Sequence, residues 1–155
     1  MGLFDSFVGA VKKGIAEKCE DVYKANRDRR FGGKTCDEWL YEEKRVGILE
    51  DSDFSAYSDF VGCYIARLRG RIVYVGRAME ANNGGFRKRL NDYTRFSDSG
   101  RKHMSGRLMH EHSKELEISI IITGSDDEGA DIAKKLEPLL IGKFRPEWNK
   151  QTNVL

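Results

Sequence analysis

Side chains that could hydrolyse a phosphodiester bond are spread over the second half of the sequence. Such a reaction needs a group that activates or orients water, a cation beside the phosphate oxygens and a carboxylate for a divalent metal. Phenols, guanidinium groups, an imidazole, a carboxylate and an amide are present at Tyr64, Tyr74, Arg87, Arg89, His103, Glu137 and Asn149. Each residue alone also has an ordinary structural explanation, so the elements that position them decide whether they act together.

Both tyrosines belong to one largely apolar stretch, VGCYIARLRGRIVYVG, at residues 61–76. Its β-branched and aromatic residues alternate on either side of Arg69, Gly70 and Arg71, a pattern that predicts two strands joined by a turn. A core hairpin could be built from valine and isoleucine alone, whereas a buried phenol hydroxyl must find a hydrogen-bond partner. Tyrosines in such strands often do no more than pack, so their chemistry depends on their neighbours.

Positive charge is concentrated in the same part of the chain. The net charge of all 155 residues is only +2, but residues 61–113 contain eleven Lys or Arg against four Asp or Glu, a local net charge of +7. A segregated basic block is typical of a polyanion-binding surface, nucleic acid first, although a solvated basic face is the simpler alternative. The residues predicted to contact nucleic acid are Arg77, Arg87, Lys88, Arg95, Arg101, Lys102 and Arg107.

The remaining periodicity predicts a helical N-terminal extension and linker over residues 1–58, followed by an α+β domain over residues 59–155. The extension is predicted to contain helices at about 3–30 and 35–45 and an acidic strap at 47–60. After the hairpin come predicted helices at about 86–94 and 101–113, a buried strand at 116–123 and a last helix from Ser125 or Asp126, with an irregular tail. This order predicts a small three-stranded antiparallel sheet flanked by helices.

Composition favours a soluble protein of the cytoplasm. Hydrophobic residues make up 39% and charged residues 34% of the chain, and no apolar run is long enough for a membrane span. Cys19, Cys36 and Cys63 are odd in number and include no Cys-x-x-Cys pair, so neither a disulfide framework nor a zinc ribbon is indicated. The first residues, MGLFDS, fit a pattern for N-myristoylation, but an amphipathic helix explains the same residues.

Two triplets in the hairpin, G-C-Y at 62–64 and Y-V-G at 74–76, resemble the signature of the GIY-YIG nuclease family. The central isoleucine of each triplet is replaced, by cysteine and by valine, at positions where a core residue is expected. The downstream order is also similar, with Arg89 in an Arg-Leu step, Glu137 on the last helix and Asn149 in Pro-x-Trp-Asn. The resemblance covers about residues 60–150.

The resemblance implies a DNA endonuclease domain that uses one Mg²⁺, or Mn²⁺, in each active site. By the same resemblance Tyr64 would act as the general base or relay a proton to it, and Tyr74 would orient water or phosphate through its hydroxyl. A neutral phenol is a poor base at neutral pH. The metal and Arg89 would therefore have to lower the pKa of Tyr64, unless the phenol serves only as a relay.

The resemblance also implies roles for residues on the helices and the tail. Arg89 would bind the scissile phosphate, with Arg87 as an additional contact, and Glu137 would ligate the metal. Asn149 would contact the phosphate or brace the site, and His103 matches a position that often carries a histidine. Whether Tyr64 or His103 would be the general base is left open.

Other interpretations of the same residues stay open at this point. Glu137 could be a helix-surface carboxylate paired with Lys134. A module that keeps the scaffold and the basic face could bind DNA without cutting it. The acidic extension could fold over the basic face as an inhibitory segment, and a homodimer would allow cleavage of both DNA strands.

Overall fold

A computed structural model of the protein describes residues 18–95 and 104–152, with side chains described up to residue 149. The predicted hairpin is present as strands β2 (Val61–Leu68) and β3 (Arg71–Ala78), which pair antiparallel. Arg69 and Gly70 between them have φ values of 52° and 81°. Two successive residues with positive φ are typical of the tight turn whose twist matches that of the flanking strands.

The sheet has four strands, not the predicted three. β4 (Leu116–Gly124) pairs antiparallel with β2, and β1 (Lys44–Ile48) pairs antiparallel with β4, giving the order β1-β4-β2-β3. The short, partly exposed β1 has no clear alternation of apolar and polar residues, and its pairing is interrupted by a bulge. A strand without this alternation has no local signal in the sequence. For that reason β1 is not among the predicted strands.

The residues predicted as an extension therefore contribute an edge strand to the same sheet. The predicted helix at about 35–45 is wrong beyond residue 40, because α2 (Cys36–Leu40) ends there and β1 follows. Glu43, just before β1, forms a half-buried ion pair with Arg67 of β2. The described part of the first helix, α1, covers residues 18–26 and ends before the predicted residue 30.

Helices cover both faces of the sheet. On one face lie α3 (Gly85–Asn91), α4 (Met104–Glu111) and α6 (Glu147–Thr152). On the other face lie α1, α2 and the long α5 (Asp127–Phe144), whose first N–H groups are capped by Asp126. The alternation of side chains along β2 sends Tyr64 toward the first set of helices and Cys63 and Ile65 toward α5.

Two further differences concern the ends of the predicted elements. The tail predicted as irregular forms α6, which is held by buried Trp148 stacked on His112 with ring centroids 5.5 Å apart. Six residues are too few for a periodic signal, so this helix depends on its tertiary contact. Within the described ranges, no helix is both long and apolar enough to cross a membrane.

Candidate active site

A cavity of about 350 Å³ opens beside the end of β3, between α3 and α5. Its charged lining consists of Arg77, Glu80, Lys88, Arg89, Asp92 and Glu137. Because β3 is the outermost strand of the sheet, side chains from both faces can reach the space along its edge. The fold thus brings Arg89 and Glu137, which are 48 positions apart in the sequence, to one cavity.

Tyr64 reaches toward this region across the neighbouring strand. It lies on the inner strand β2 and pairs in register with Gly76 of β3. A Cβ atom built on Gly76 would lie 2.3 Å from the Tyr64 hydroxyl oxygen and 2.4 Å from its Cζ atom. The phenol ring therefore occupies the space that a side chain at position 76 would fill, which explains the glycine of the second triplet.

Three phenols and one guanidinium form a cluster at the cavity, with Tyr64 and Tyr93 buried, Tyr74 half-buried and Arg89 exposed. The hydroxyl groups of Tyr64 and Tyr93 are hydrogen-bonded at 2.5 Å, and Nε of Arg89 donates to the Tyr64 hydroxyl at 3.4 Å. The ring of Tyr74 lies 6.2 Å from that of Tyr64 between centroids. Arg89 also lies against the face of the Tyr93 ring, 5.8 Å from its centroid.

Tyr93 is a member of this cluster that is not among the site residues predicted from the sequence. It follows Arg89 by four positions, a spacing that places two side chains on the same side of a helix and was available as a signal. His110 of α4 supports it, because Nδ1 of His110 donates to the Tyr93 carbonyl oxygen at 2.8 Å.

Tyr64 and Tyr74 are held in their neutral form. Burial raises the pKa of Tyr64 well above its ordinary value, and Tyr93 and Tyr74 add to this, while Arg89 opposes it. Burial also raises the pKa of Tyr74. The sequence interpretation required Arg89 and a metal to lower the pKa of Tyr64, but in this arrangement burial outweighs Arg89. Tyr64 is thus a neutral hydrogen-bonding group here, able to relay a proton.

Glu137 is directed to the cavity from α5, and its side chain is only 21% exposed. Its carboxylate pairs with Arg77 at 3.3 Å, and not with Lys134 as the alternative interpretation supposed. Burial raises the pKa of Glu137, whereas Arg77 and Arg89 lower it. Glu137 is therefore a partly desolvated carboxylate beside two arginines. Its burial carries a desolvation free energy that a glutamate on the surface would not have.

The residues present fit a divalent metal that has few protein ligands. Over residues 18–95 and 104–152, no group of three or more His, Cys, Asp or Glu side chains is arranged to hold a metal. Mg²⁺ commonly keeps several waters and is bound through one or two carboxylates together with substrate phosphates. Glu137, a half-buried carboxylate facing a cavity, fits that role, with Glu80 and Asp92 elsewhere in the lining.

Asn149 lies away from the cavity lining, on α6. Its side chain is buried and bridges the backbone of Val75, since Oδ1 accepts from the Val75 N–H and Nδ2 donates to the Val75 carbonyl, both at 2.9 Å. The Asn149 amide thus forms hydrogen bonds with the outward-facing N–H and C=O groups of Val75, the middle residue of the Y-V-G triplet on the edge strand β3. This contact is the bracing role, and not the phosphate contact, of the two roles implied for Asn149.

The predicted nucleic-acid contacts divide into three groups. Arg77 and Lys88 line the cavity with Arg89. Exposed side chains outside the lining belong to Arg87, Arg95 and Arg107. The remaining predictions, Arg101, Lys102 and the candidate His103, lie outside the described residues.

Comparisons of the chain with models of protein families, with curated proteins and with solved structures find no match, so the site is interpreted from its own geometry.

Proposed function

We propose that the protein is a metal-dependent endonuclease that hydrolyses phosphodiester bonds in DNA. The observation that carries this proposal is the single cavity that contains both Arg89 and Glu137, with the Tyr64 hydroxyl hydrogen-bonded to Arg89 behind it. A cation for phosphate, a carboxylate for a metal and a hydroxyl for proton relay are then within one site. The resemblance of the two hairpin triplets to the GIY-YIG signature supports the same reaction.

Each residue has a distinct task in this proposal. Arg89 binds the scissile phosphate, because a guanidinium has five N–H donors and its Nε contact to Tyr64 leaves others for phosphate oxygens. Glu137 would hold Mg²⁺ or Mn²⁺, and the metal would supply positive charge to offset the charge that develops on the phosphate. The half-buried Tyr74, with Tyr64 behind it, orients the attacking water, and the proton that this water loses passes through their hydroxyl groups to solvent. Tyr93 fixes the position of the Tyr64 hydroxyl.

A DNA-binding module without activity is the alternative, and one observation disfavours it. A phosphate-binding cavity gains nothing from a half-buried carboxylate, because the carboxylate repels phosphate and is costly to desolvate. Glu137 nevertheless lies in this cavity beside Arg77. A metal ligand explains why the carboxylate is there.

Cleavage assays with plasmid and branched DNA, in the presence of Mg²⁺ or Mn²⁺, test the proposal. Wild-type protein should give metal-dependent products, and Glu137→Ala and Arg89→Gln should each reduce the rate by at least about a hundredfold. Asp131→Ala is the matched control, because Asp131 is exposed on the same helix as Glu137 and outside the cavity lining.

The control variant should keep the wild-type cleavage rate. Binding of wild-type protein to DNA without cleavage under any divalent cation would overturn the enzyme proposal and support the binding module. Undiminished cleavage by folded Glu137→Ala would overturn the assignment of the metal ligand.

A further inference from the structure

Arg77 meets Glu137 because of the side-chain alternation of β3. Val75 and Arg77 point to the face of the sheet that α5 covers, while Gly76 between them lies under the Tyr64 ring on the other face. Nη1 of Arg77 lies 3.3 Å from Oε1 of Glu137, and the two side chains are 36% and 21% exposed. The proposed metal ligand therefore already has a cationic partner built into the hairpin.

The carboxylate of Glu137 cannot serve this arginine and a divalent cation without conflict. A carboxylate removed from water needs a positive partner, and Arg77 supplies it in this structure. A divalent cation on the same oxygen would lie within a few ångströms of the guanidinium, where the two positive groups repel in a partly desolvated space. A metal that binds Glu137 must then either displace the Arg77 guanidinium or bind more weakly because the guanidinium repels it.

We propose that Arg77 is a positioning residue that holds Glu137 in the metal-free site and competes with the divalent cation for it, so that Arg77 sets the metal affinity. This inference rests on the proposed function, because it takes Glu137 as the metal ligand. It changes the role of Arg77 from one of several phosphate contacts to the residue that determines how readily the site is loaded.

Lys88 provides a matched comparison within the same cavity. It contributes one positive charge to the lining, as Arg77 does, but its Nζ pairs with Glu80 at 3.2 Å and not with Glu137. A general electrostatic effect of the cavity on metal binding would be similar for both residues. Competition for the Glu137 carboxylate would distinguish them.

The test is a titration of the full chain with Mn²⁺ in the absence of DNA, with free Mn²⁺ followed by electron paramagnetic resonance. Wild-type protein, Arg77→Gln, Arg77→Lys, Lys88→Gln and Glu137→Gln are compared at one mildly alkaline pH after circular dichroism has shown that each is folded. Arg77→Gln should bind Mn²⁺ about tenfold more tightly than wild type. Arg77→Lys, which keeps the charge, should remain close to wild type, Lys88→Gln should change the affinity much less, and Glu137→Gln should lose the site.

Different outcomes separate failure of this inference from failure of the proposed function. If Glu137→Gln abolishes Mn²⁺ binding but Arg77→Gln leaves the affinity at or below the wild-type value, Arg77 does not compete and only the inference fails. The same conclusion follows if Lys88→Gln tightens binding as much as Arg77→Gln. If neither wild type nor Arg77→Gln shows Mn²⁺ binding that depends on Glu137, the inference that Arg77 sets the metal affinity of the DNA-free site fails, while the proposed function is decided separately by the metal-dependent cleavage assay.

Discussion

Gly76→Ala is the substitution that most directly tests how the site is built. The new Cβ would lie 2.3 Å from the hydroxyl oxygen and 2.4 Å from Cζ of Tyr64, so the ring would have to move. Overpacking of this kind costs about 1–3 kcal/mol. Displacement of the hydroxyl from Tyr93 and Arg89 adds about 1 kcal/mol for each weakened hydrogen bond. We therefore expect a loss of about 3–5 kcal/mol in the free energy of unfolding.

A double-mutant cycle isolates the clash from other effects of the alanine. Phenylalanine at position 64 keeps the Cζ atom in place but has no hydroxyl group, so in a Tyr64→Phe background Gly76→Ala should still cost the overpacking part, about 1–3 kcal/mol. Leucine at position 64 removes the Oη, Cζ and Cε1 atoms that meet the new Cβ. In a Tyr64→Leu background the cost should fall to near zero, because Gly→Ala then mainly reduces the entropy of the unfolded chain.

Urea denaturation followed by circular dichroism gives the four free energies of unfolding of the Tyr64→Leu cycle: wild type, Gly76→Ala, Tyr64→Leu and the double variant. The decisive quantity is the coupling between positions 76 and 64, which should be at least about 2 kcal/mol. Equal costs of Gly76→Ala in the wild-type and Tyr64→Leu backgrounds would refute the explanation that the Tyr64 ring excludes a side chain at position 76.

Three more predictions concern single side chains of the site. Burial raises the pKa of folded Glu137, so its protonated form stabilises the fold below the unfolded pKa, and this contribution is lost as pH rises through the folded pKa. Without metal, Glu137→Gln should therefore have a larger free energy of unfolding than wild type at neutral pH, and this difference should become smaller in acid. Urea denaturation measures it. A larger free energy of unfolding for wild type at neutral pH would show that the ion pair with Arg77 outweighs the desolvation of Glu137. Asn149→Asp should lose about 3 kcal/mol, because the donor to the Val75 carbonyl becomes an acceptor, and unchanged stability in the same assay would exclude the brace. Tyr64→Phe should lose only about 1–2 kcal/mol of stability but at least a hundredfold in DNA cleavage rate; a folded and fully active variant would remove Tyr64 from the mechanism.

Much of the fold was predictable because its signals are local. The hairpin, the buried strand at 116–123 and α5 each follow from periodicity, turn residues or caps within a short window, and the structure contains all three. β1 and α6 were not predictable in this way, because five or six residues without a clear pattern acquire their structure from the partners they pack against.

The same distinction between local and tertiary features applies to the candidate site. The sequence by itself determined which chemical groups are present and that Tyr64 and Tyr74 share a hairpin, because alternation and turn chemistry act between near neighbours. Only the tertiary structure decided that the Tyr64 ring crosses Gly76 and that Glu137 pairs with Arg77 and not with Lys134. Those contacts depend on strand register and on which helix covers each face of the sheet, and both are set by packing between elements that are distant in the chain.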